Sequence, residues 1–325
     1  MKDPERSSWC TWVWTRSSAA RARVSGVERD PGQTTASVSP QRTHSSTSVA
    51  QKVDWTSGLQ PRVSFTGGMS PCPAMRLHAE RDGAGPPIVL VHGFTQTGRC
   101  WGPVAEDLAA DHTVIRVDAP AHGRSAAAPA GLHDGGRLIG EHGGDATYLG
   151  YSMGGRYLLH LALADAGLVR GLVLLGATAG IDDPDERAAR ARADEATAAR
   201  IAELGLSEFV RTWIAQPMFA GIPPERQQLA ERLENTPQGL ARSLRLAGTG
   251  VQEPSWDDLH RLAMPVLVVA GEQDAKFSEL GRRLRTSIGS NARFATVPGA
   301  GHAAHLEQPE AFLGVLRPWL AEHGL

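Results

Sequence analysis

The chain has 325 residues, 41% of them hydrophobic, and a formal net charge of −2. That content suffices for a core, and the near-neutral charge argues against a nucleic-acid-binding or membrane-surface protein, which would carry a basic excess. No apolar run reaches the roughly 18–20 residues of a membrane span. The three cysteines, Cys10, Cys72 and Cys100, have neither metal-ligand spacing nor the even count of a disulfide framework. We therefore expect a cytoplasmic protein that needs no metal.

The first 74 residues differ in composition from the rest of the chain. They are rich in Ser, Thr, Arg and Gln and show almost no apolar periodicity. Such a segment cannot bury enough apolar surface to offset the entropy lost on ordering. We expect residues 1–74 to be a disordered extension, and one hypothesis is that the natural chain begins at Met69 or Met75.

From residue 75 to residue 325, short apolar runs alternate with helical patterns. Continuous apolar runs are typical of strands that helices cover on both faces. The alternation predicts one α/β domain with a mostly parallel, doubly wound sheet. The predicted strands are 88–93, 113–118, 147–152, 171–176, 265–271 and 293–297, and the predicted helices are 101–110, 134–142, 154–164, 279–287 and 309–323.

One long insertion interrupts this alternation between the fourth and fifth of these strands. It begins with "DPDERAARARADEATAARIAELG", which has an Asp/Pro start signal followed by strong helix formers. Further helices are predicted at 206–214, 224–234 and 237–247. We expect a helical cap at about residues 180–260, lying over the sheet as a lid.

The run "GYSMG" places Ser152 between two glycines, Gly150 and Gly154. Gly-x-Ser-x-Gly between a strand and a helix is the pattern of a nucleophile elbow. An inert serine in a tight turn is the alternative. A serine hydroxyl is a weak nucleophile or base unless a neighbouring histidine takes its proton.

The partners of Ser152 are predicted from the chain order Ser, acid, His. "GAGHAAHLEQPEAF" follows the last strand and supplies His302, and "VLVVAGEQDAKF" ends the preceding strand and supplies Asp274. An oxyanion also requires preorganised N–H donors, for which we predict the backbone of Phe94 and Met153. Three rivals are expected to be loop or core hydrogen-bonding residues instead: Asp118, Glu272 and His305.

Several motifs together carry a family resemblance that extends from about residue 75 to the end. They are "GYSMGGR", "GEQDAKF", "GHAAHLEQPEAF", "WIAQPMF" and "DAPAHGRS". With them the chain resembles the α/β-hydrolase superfamily and, within it, is most similar to the 2-succinyl-6-hydroxy-2,4-cyclohexadiene-1-carboxylate synthase family. The resemblance implies an α/β-hydrolase fold, no cofactor, and a lyase of menaquinone biosynthesis. That lyase eliminates pyruvate from 2-succinyl-5-enolpyruvyl-6-hydroxy-3-cyclohexene-1-carboxylate, with the triad serine acting as a base.

This substrate carries three carboxylates, so the resemblance also implies an arginine-rich pocket. Arg156 lies one helical turn after Ser152, where a guanidinium could bind a carboxylate bidentately. Similarity to the family's cap suggests Arg190 as a second carboxylate ligand and Arg232 as a third. Two aromatic residues are further candidates for substrate contact, Tyr151 and Trp213. Alternatively, the cap arginines pair on a solvated helix face with their acidic neighbours Asp185, Glu186, Asp194 and Glu195.

The sequence departs from the family pattern at Ala121, where glycine is usual, and at Thr95 and Gln96, where apolar or small residues are commoner. The second departure puts the identity of the substrate in doubt. The main alternative is a hydrolase with the same triad, either a carboxylesterase or a C–C bond hydrolase. A cofactor-free haloperoxidase-like protein and a non-catalytic receptor or scaffold are further alternatives.

Overall fold

The computed structural model describes residues 76–325, so the extension predicted for residues 1–74 lies outside the described residues. The described part contains a sheet of seven strands: β1 Ala79–Asp82, β2 Pro87–Val91, β3 Thr113–Val117, β4 Ala146–Tyr151, β5 Val169–Leu175, β6 Val266–Gly271 and β7 Ala292–Val297. Their order in the sheet is β1-β3-β2-β4-β5-β6-β7. Neighbouring strands are parallel, except that β1 pairs antiparallel with β3.

Helices cover both faces of this sheet, because alternate residues of each central strand point to opposite faces. These helices are α1 Gly102–Leu108, α2 Leu132–Gly143, α3 Met153–Ala164, α7 Ala275–Ile288 and α9 Pro309–His323, with the short α8 Ala304–Glu307 before the last. One face of the sheet packs on α2, α3 and α7, and the other on α1 and α9. The α/β-hydrolase fold predicted from the sequence is confirmed, and each predicted strand is present within two residues of its predicted ends.

Between β5 and β6 the chain forms helices α4 Pro184–Ile214, α5 Leu229–Arg232 and α6 Pro237–Ala247. Helix α4 begins where the sequence predicts, because the Asp183 side chain accepts N–H bonds from Asp185 and Glu186. Gly205, with φ 72°, breaks it into two parts. Small and apolar residues of α4 pack against Leu240 and Leu244 of α6, which gives the cap a hydrophobic core of its own.

The predicted helix at 224–234 is wrong. A 3₁₀ turn at Pro224–Arg226 is followed by Gln228 in the left-handed region, with φ 53°, and only then by the single turn α5. An L-residue in that conformation interrupts a right-handed helix. The break directs Arg232 into the protein interior, where it is 2% exposed. In residues 76–325, no helix is long and apolar enough to cross a membrane.

Candidate active site

Ser152 occupies a sharp turn between β4 and α3. Its backbone has φ 50° and ψ −106°, and its N–H donates to Leu175 O of the neighbouring strand at 2.7 Å. A Cβ at Gly150 would lie 2.5 Å from Gly155 N, and one at Gly154 would lie 2.1 Å from Val91 O. Both glycines are therefore required by close approach of backbone. A strained residue held in this way is typical of a functional site.

The structure brings Ser152, Asp274 and His302 together from the ends of three different strands. His302 Nδ1 lies 2.8 Å from Asp274 Oδ2, and His302 Nε2 lies 3.3 Å from Ser152 Oγ. An ionised carboxylate only accepts hydrogen bonds, so Nδ1 of His302 is the donor and Nε2 is left to accept from the serine hydroxyl. The arrangement can take a proton from Ser152 Oγ.

Asp274 itself is fixed by its position at the beginning of a helix. Its second carboxylate oxygen, Oδ1, accepts the N–H of Phe277 in the first turn of α7 at 3.1 Å. The phenyl ring of Phe277 also packs on the imidazole of His302, with 4.4 Å between ring centroids. One helix end thus orients both the acid and the histidine.

The three rivals for these roles make other contacts. Asp118 accepts N–H bonds from Gly98 and Arg124, and Glu272 accepts the N–H of Gly299. His305 is 1% exposed and packs between the rings of Tyr151 and Trp101, at centroid distances of 4.4 and 4.7 Å. Burial, together with nearby Arg232, holds the pKa of His305 well below its ordinary value. This histidine is therefore a neutral core residue.

The proposed oxyanion donors follow neighbouring strands at equivalent positions. Val91 of β2 pairs with Gly150 of β4, and Phe94 and Met153 each follow that pair by three residues. Met153 is the first residue of α3, where backbone N–H groups have no partner within the helix. Their joint action on an oxyanion stays a prediction.

The loop that carries Phe94 is held by the cap. Thr95 has φ 67°, and its carbonyl accepts a hydrogen bond from Asn235 Nδ2 at 2.9 Å. Asn235 Oδ1 accepts the N–H of Gly123 at 2.9 Å, so one amide side chain joins two loops to the cap. Within the same loop, Gln96 Oε1 accepts the N–H of Gly93. No local sequence pattern indicates that Asn235 joins these loops, because Thr95 and Gly123 lie more than 100 residues away from it.

Arg232 also contacts this loop. Its Nη1 donates to Thr95 Oγ1, and its Nε donates to Gln227 O at 2.8 Å. No carboxylate of the described residues forms an ion pair with it, and burial lowers the pKa of its guanidinium. Two of its N–H groups are therefore committed to protein acceptors, and a contact with substrate stays a prediction.

Arg156 extends from α3 into the cap. It is 8% exposed, and its Nη1 donates to Ala247 O, the last residue of α6, at 2.7 Å. Burial first, and then the nearby charge of Arg190, lower the pKa of Arg156 to about 10. No carboxylate within residues 76–325 forms an ion pair with it. The charge of Asp194 lies near enough to oppose this lowering only in part. A buried guanidinium whose charge is not fully balanced is what a site for an anionic ligand requires.

Arg190 forms the ion pair expected in one of the two alternatives, and its role as a carboxylate ligand stays a prediction. Its Nε donates to Asp194 Oδ1 at 2.8 Å, so it does pair with an acidic neighbour on its own helix. Its charge nevertheless lies near Arg156, whose pKa it lowers. Asp194 is 6% exposed, and its Oδ2 accepts the N–H of Gly250 at 3.1 Å. The spacing of four residues between Arg190 and Asp194 was the available signal for this pair.

Aromatic rings of the cap lie against the loop that carries Phe94. Trp213 meets Phe94 edge to face at a centroid distance of 5.0 Å and lies 6.1 Å from Phe219. The Trp213 Nε1–H is buried and has no hydrogen-bond partner among the described residues. Tyr151 is 3% exposed, with its ring 5.4 Å from that of His302. Contact of either residue with substrate stays a prediction.

Residues 76–325 contain no group of three or more His, Cys, Asp or Glu side chains that could hold a metal ion. The absence of a cofactor, implied by the family resemblance, stays a prediction.

Known proteins resemble the chain over most of its described part. The sequence profile of the Alpha/beta hydrolase family matches residues 88–315. The putative 2-succinyl-6-hydroxy-2,4-cyclohexadiene-1-carboxylate synthase of Bacillus subtilis (strain 168) is 32% identical over 72% of this chain and 89% of its own. The 2-succinyl-6-hydroxy-2,4-cyclohexadiene-1-carboxylate synthase of Yersinia pestis bv. Antiqua (strain Nepal516) is 30% identical over 74% of this chain and 89% of its own.

Solved structures with the same fold superpose on the chain. MenH from S. aureus superposes with a TM-score of 0.70 at 26% identity, over 77% of this chain and 99% of its own. A thermophilic esterase from Thermogutta terrifontis superposes with a TM-score of 0.66 at 27% identity, over 76% of this chain and 93% of its own.

Fold, serine turn and family profile agree on the class of protein, and the chain belongs to the alpha/beta hydrolase family. Within that family it is similar to the synthases of 2-succinyl-6-hydroxy-2,4-cyclohexadiene-1-carboxylate. The resemblance to both groups, predicted from the sequence motifs, is confirmed.

Proposed function

We propose that the chain is a 2-succinyl-6-hydroxy-2,4-cyclohexadiene-1-carboxylate synthase, a cytoplasmic lyase of menaquinone biosynthesis that acts on a small anionic substrate. It would eliminate pyruvate from 2-succinyl-5-enolpyruvyl-6-hydroxy-3-cyclohexene-1-carboxylate. The observation that carries the proposal is Arg156, a buried guanidinium that forms no ion pair with a carboxylate of residues 76–325, one helical turn from Ser152. The nearby Asp194 offsets its charge only in part, and a neutral ester gives no reason to bury such a cation beside the reacting serine.

The arginines supply binding energy for the carboxylates. Arg156 has one N–H group on Ala247 O, and Arg190 has its Nε on Asp194. The two terminal nitrogens of Arg190 make no hydrogen bond to the described residues and are free to bind a carboxylate. Because the two guanidinium groups repel each other, a bound carboxylate relieves that repulsion as well as forming charge-assisted hydrogen bonds.

The proton transfer uses the triad as a base. His302 takes the hydroxyl proton of Ser152, and Asp274 stabilises the resulting imidazolium at 2.8 Å. Ser152 Oγ then removes a proton from the carbon next to the succinyl ketone. The negative charge moves to the ketone oxygen, where the N–H groups of Phe94 and Met153 stabilise it. The unpartnered Trp213 Nε1–H, beside Phe94, is a further donor available to the substrate.

Collapse of the enolate completes the elimination. The electron pair returns to form a double bond between ring carbons 2 and 3, the existing double bond between carbons 3 and 4 shifts to carbons 4 and 5, and the bond from carbon 5 to the enolpyruvyl oxygen breaks. Protonation of the departing enolpyruvate on carbon gives pyruvate, and the proton held by His302 is available for it. The triad ends in its starting state, so the cycle needs no water and no external oxidant.

A hydrolase remains the second candidate, because the esterase similar to this chain shares the fold and the same three side chains can form an acyl-enzyme. Loss of the enolpyruvyl substrate with release of pyruvate, compared with hydrolysis of p-nitrophenyl acetate or butyrate, separates the two. For the wild type we expect efficient elimination and only a trace of ester hydrolysis.

The matched variants are Arg156→Ala and Arg245→Ala. Arg245 is a cap arginine on the surface, paired with Glu195. Losing the buried charge-assisted contact is expected to lower kcat/KM for elimination about 100-fold or more. The Arg245 variant is expected to remain within about twofold of wild type, since exposed ion pairs contribute little. Wild-type elimination no faster than the spontaneous reaction, with rapid ester turnover, would favour the hydrolase.

A further inference from the structure

Glu307 places a buried carboxylate directly behind the loop that carries His302. The residue ends α8 and is 3% exposed. Its Oε2 accepts the N–H of Gly301 at 2.7 Å, and its Oε1 accepts the N–H of Ala303 at 2.9 Å. These two amides flank His302 on either side. No basic side chain within residues 76–325 forms an ion pair with this carboxylate.

The two hydrogen bonds fix the backbone of the histidine loop. Bonds from N–H groups to an ionised carboxylate are about twice as strong as neutral ones. The loop has no regular secondary structure before α8. It is also held by the bond from Gln273 N–H to Ala300 O at 2.8 Å and, at its exposed end, by the bond from Gly299 N–H to Glu272 Oε2 at 2.9 Å. Phe277 and Tyr151 restrict the imidazole ring from its sides. The carboxylate instead sets where the Cα of His302 lies, and with it the distance from Nε2 to Ser152.

The cap closes this carboxylate off. A Cβ at Gly221 would lie 2.1 Å from Glu307 Oε2, so the cap backbone passes directly against the carboxylate. Phe219, in the same cap segment, has its ring 6.2 Å from that of His302. Only glycine fits at position 221 without moving Glu307. This cap segment thus lies against the histidine loop both at the Glu307 carboxylate and at the ring of His302.

We propose that Glu307 is the positioning residue for His302, holding the imidazole at its working distance from Ser152 and coupling it to the cap at Gly221. Among the described residues, the Glu307 carboxylate hydrogen-bonds the N–H groups of Gly301 and Ala303 and does not hydrogen-bond Ser152. The inference rests on the proposed roles of Ser152 and His302 and is independent of which substrate they act on.

The test is Glu307→Gln, compared with Glu272→Gln. Glu272 accepts the N–H of Gly299 in the same loop at 2.9 Å, but its side chain is exposed, so the chemical change is matched. Glutamine keeps one acceptor oxygen and turns an NH₂ group toward the other amide, which releases one side of the loop. One readout is the rate at which a fluorophosphonate labels Ser152, normalised to the folded fraction. The other is steady-state turnover of the substrate, with kcat and KM determined separately.

We expect Glu307→Gln to lower the labelling rate and kcat together by about 10- to 100-fold with KM changed less than about twofold, because a misplaced base slows the chemical step. Glu272→Gln should label within about twofold of wild type. A folded Glu307→Gln protein that labels at the wild-type rate, or an equal loss in Glu272→Gln, would overturn the inference. If wild type itself does not label, the proposed triad fails and this inference with it.

Gly221→Ala keeps the test decisive if Glu307→Gln does not fold. Its methyl group must displace the carboxylate, and we expect about a 3- to 10-fold slower labelling of folded protein. Labelling of folded Gly221→Ala at the wild-type rate would contradict the proposed coupling to the cap.

Discussion

Arg156→Met is expected to make the protein at least as stable as wild type while removing its activity. Arg156 is 8% exposed and forms no ion pair with a carboxylate of residues 76–325. Methionine has a similar length, is a good helix former and adapts to irregular space. The substitution therefore removes the buried charge and keeps most of the packing of α3 against the cap.

Two opposing contributions determine how far Arg156→Met changes the free energy of unfolding. The lowering of the Arg156 pKa from 12.5 to about 10 corresponds to about 3 kcal/mol of destabilisation by the buried charge. Loss of the hydrogen bond to Ala247 O, made by a charged donor, costs about 1.5–3 kcal/mol. The free energy of unfolding should thus be unchanged or higher by about 1–2 kcal/mol. Because the pKa is lower in the folded protein, the destabilisation is present below about pH 10 and is relieved as the pH rises above it.

Urea denaturation of wild type and Arg156→Met at pH 7.5 measures this difference, with turnover measured on the same preparations. We expect kcat/KM for elimination to fall about 100-fold, as for Arg156→Ala, because both lack the cation. A loss of more than about 1 kcal/mol would refute the reasoning, since Arg156 would then be a structural residue. Retained activity with raised stability would refute its role in binding the anionic substrate.

Two further predictions concern stability. Ala121 has φ 66°, a conformation in which an L-residue is strained. Ala121→Gly should therefore raise the free energy of unfolding by about 0.5–1 kcal/mol, whereas Ala119→Gly, in the same loop without a positive φ, should lower it. Equal losses of stability of the two variants in urea denaturation would contradict this. Burial first, then the charge of Arg156, lowers the pKa of His160 to about 4, so wild type should lose stability as the pH falls from about 6.5 toward 4. His160→Leu should remove about 1–2 kcal/mol of that loss between pH 7.5 and pH 5. If the free energy of unfolding changed equally with pH in wild type and His160→Leu, the prediction would be contradicted.

The parts of the fold that could be predicted are those that a local pattern determines. All six residues of β4 are buried, and such a run has few alternatives to a central strand. Strand β1, with the sequence AERD and partly exposed residues, has no such pattern and was missed. The helix predicted at 224–234 fails because the burial of Arg232 and the left-handed Gln228 depend on tertiary contacts. Helix formers alone cannot report those contacts.

The same distinction applies to the site. Ser152, Asp274 and His302 were predicted because each lies at the end of a strand, in a motif whose local geometry places it at one edge of the sheet. The partners of the arginines are different in kind. Arg156 bonds a backbone carbonyl 91 residues away, and Asn235 bonds one 140 residues away. Because every residue has a backbone carbonyl, such an acceptor leaves no mark in the sequence, and no motif could have indicated either contact.

These long-range contacts make the cap part of the site. Ala247 O holds Arg156, Asn235 holds the loop of Phe94, and Gly221 confines Glu307 behind His302. The three contacts lie in three separate segments of the cap, and each reaches a different part of the proposed site: the arginine proposed to bind the anion, the loop of the proposed oxyanion donor Phe94, and the histidine loop. If these roles hold, a displacement of the cap changes binding, charge stabilisation and proton transfer together. We therefore expect that exchanging the cap alone would disturb the whole proposed site, because each of these three parts contacts the cap directly.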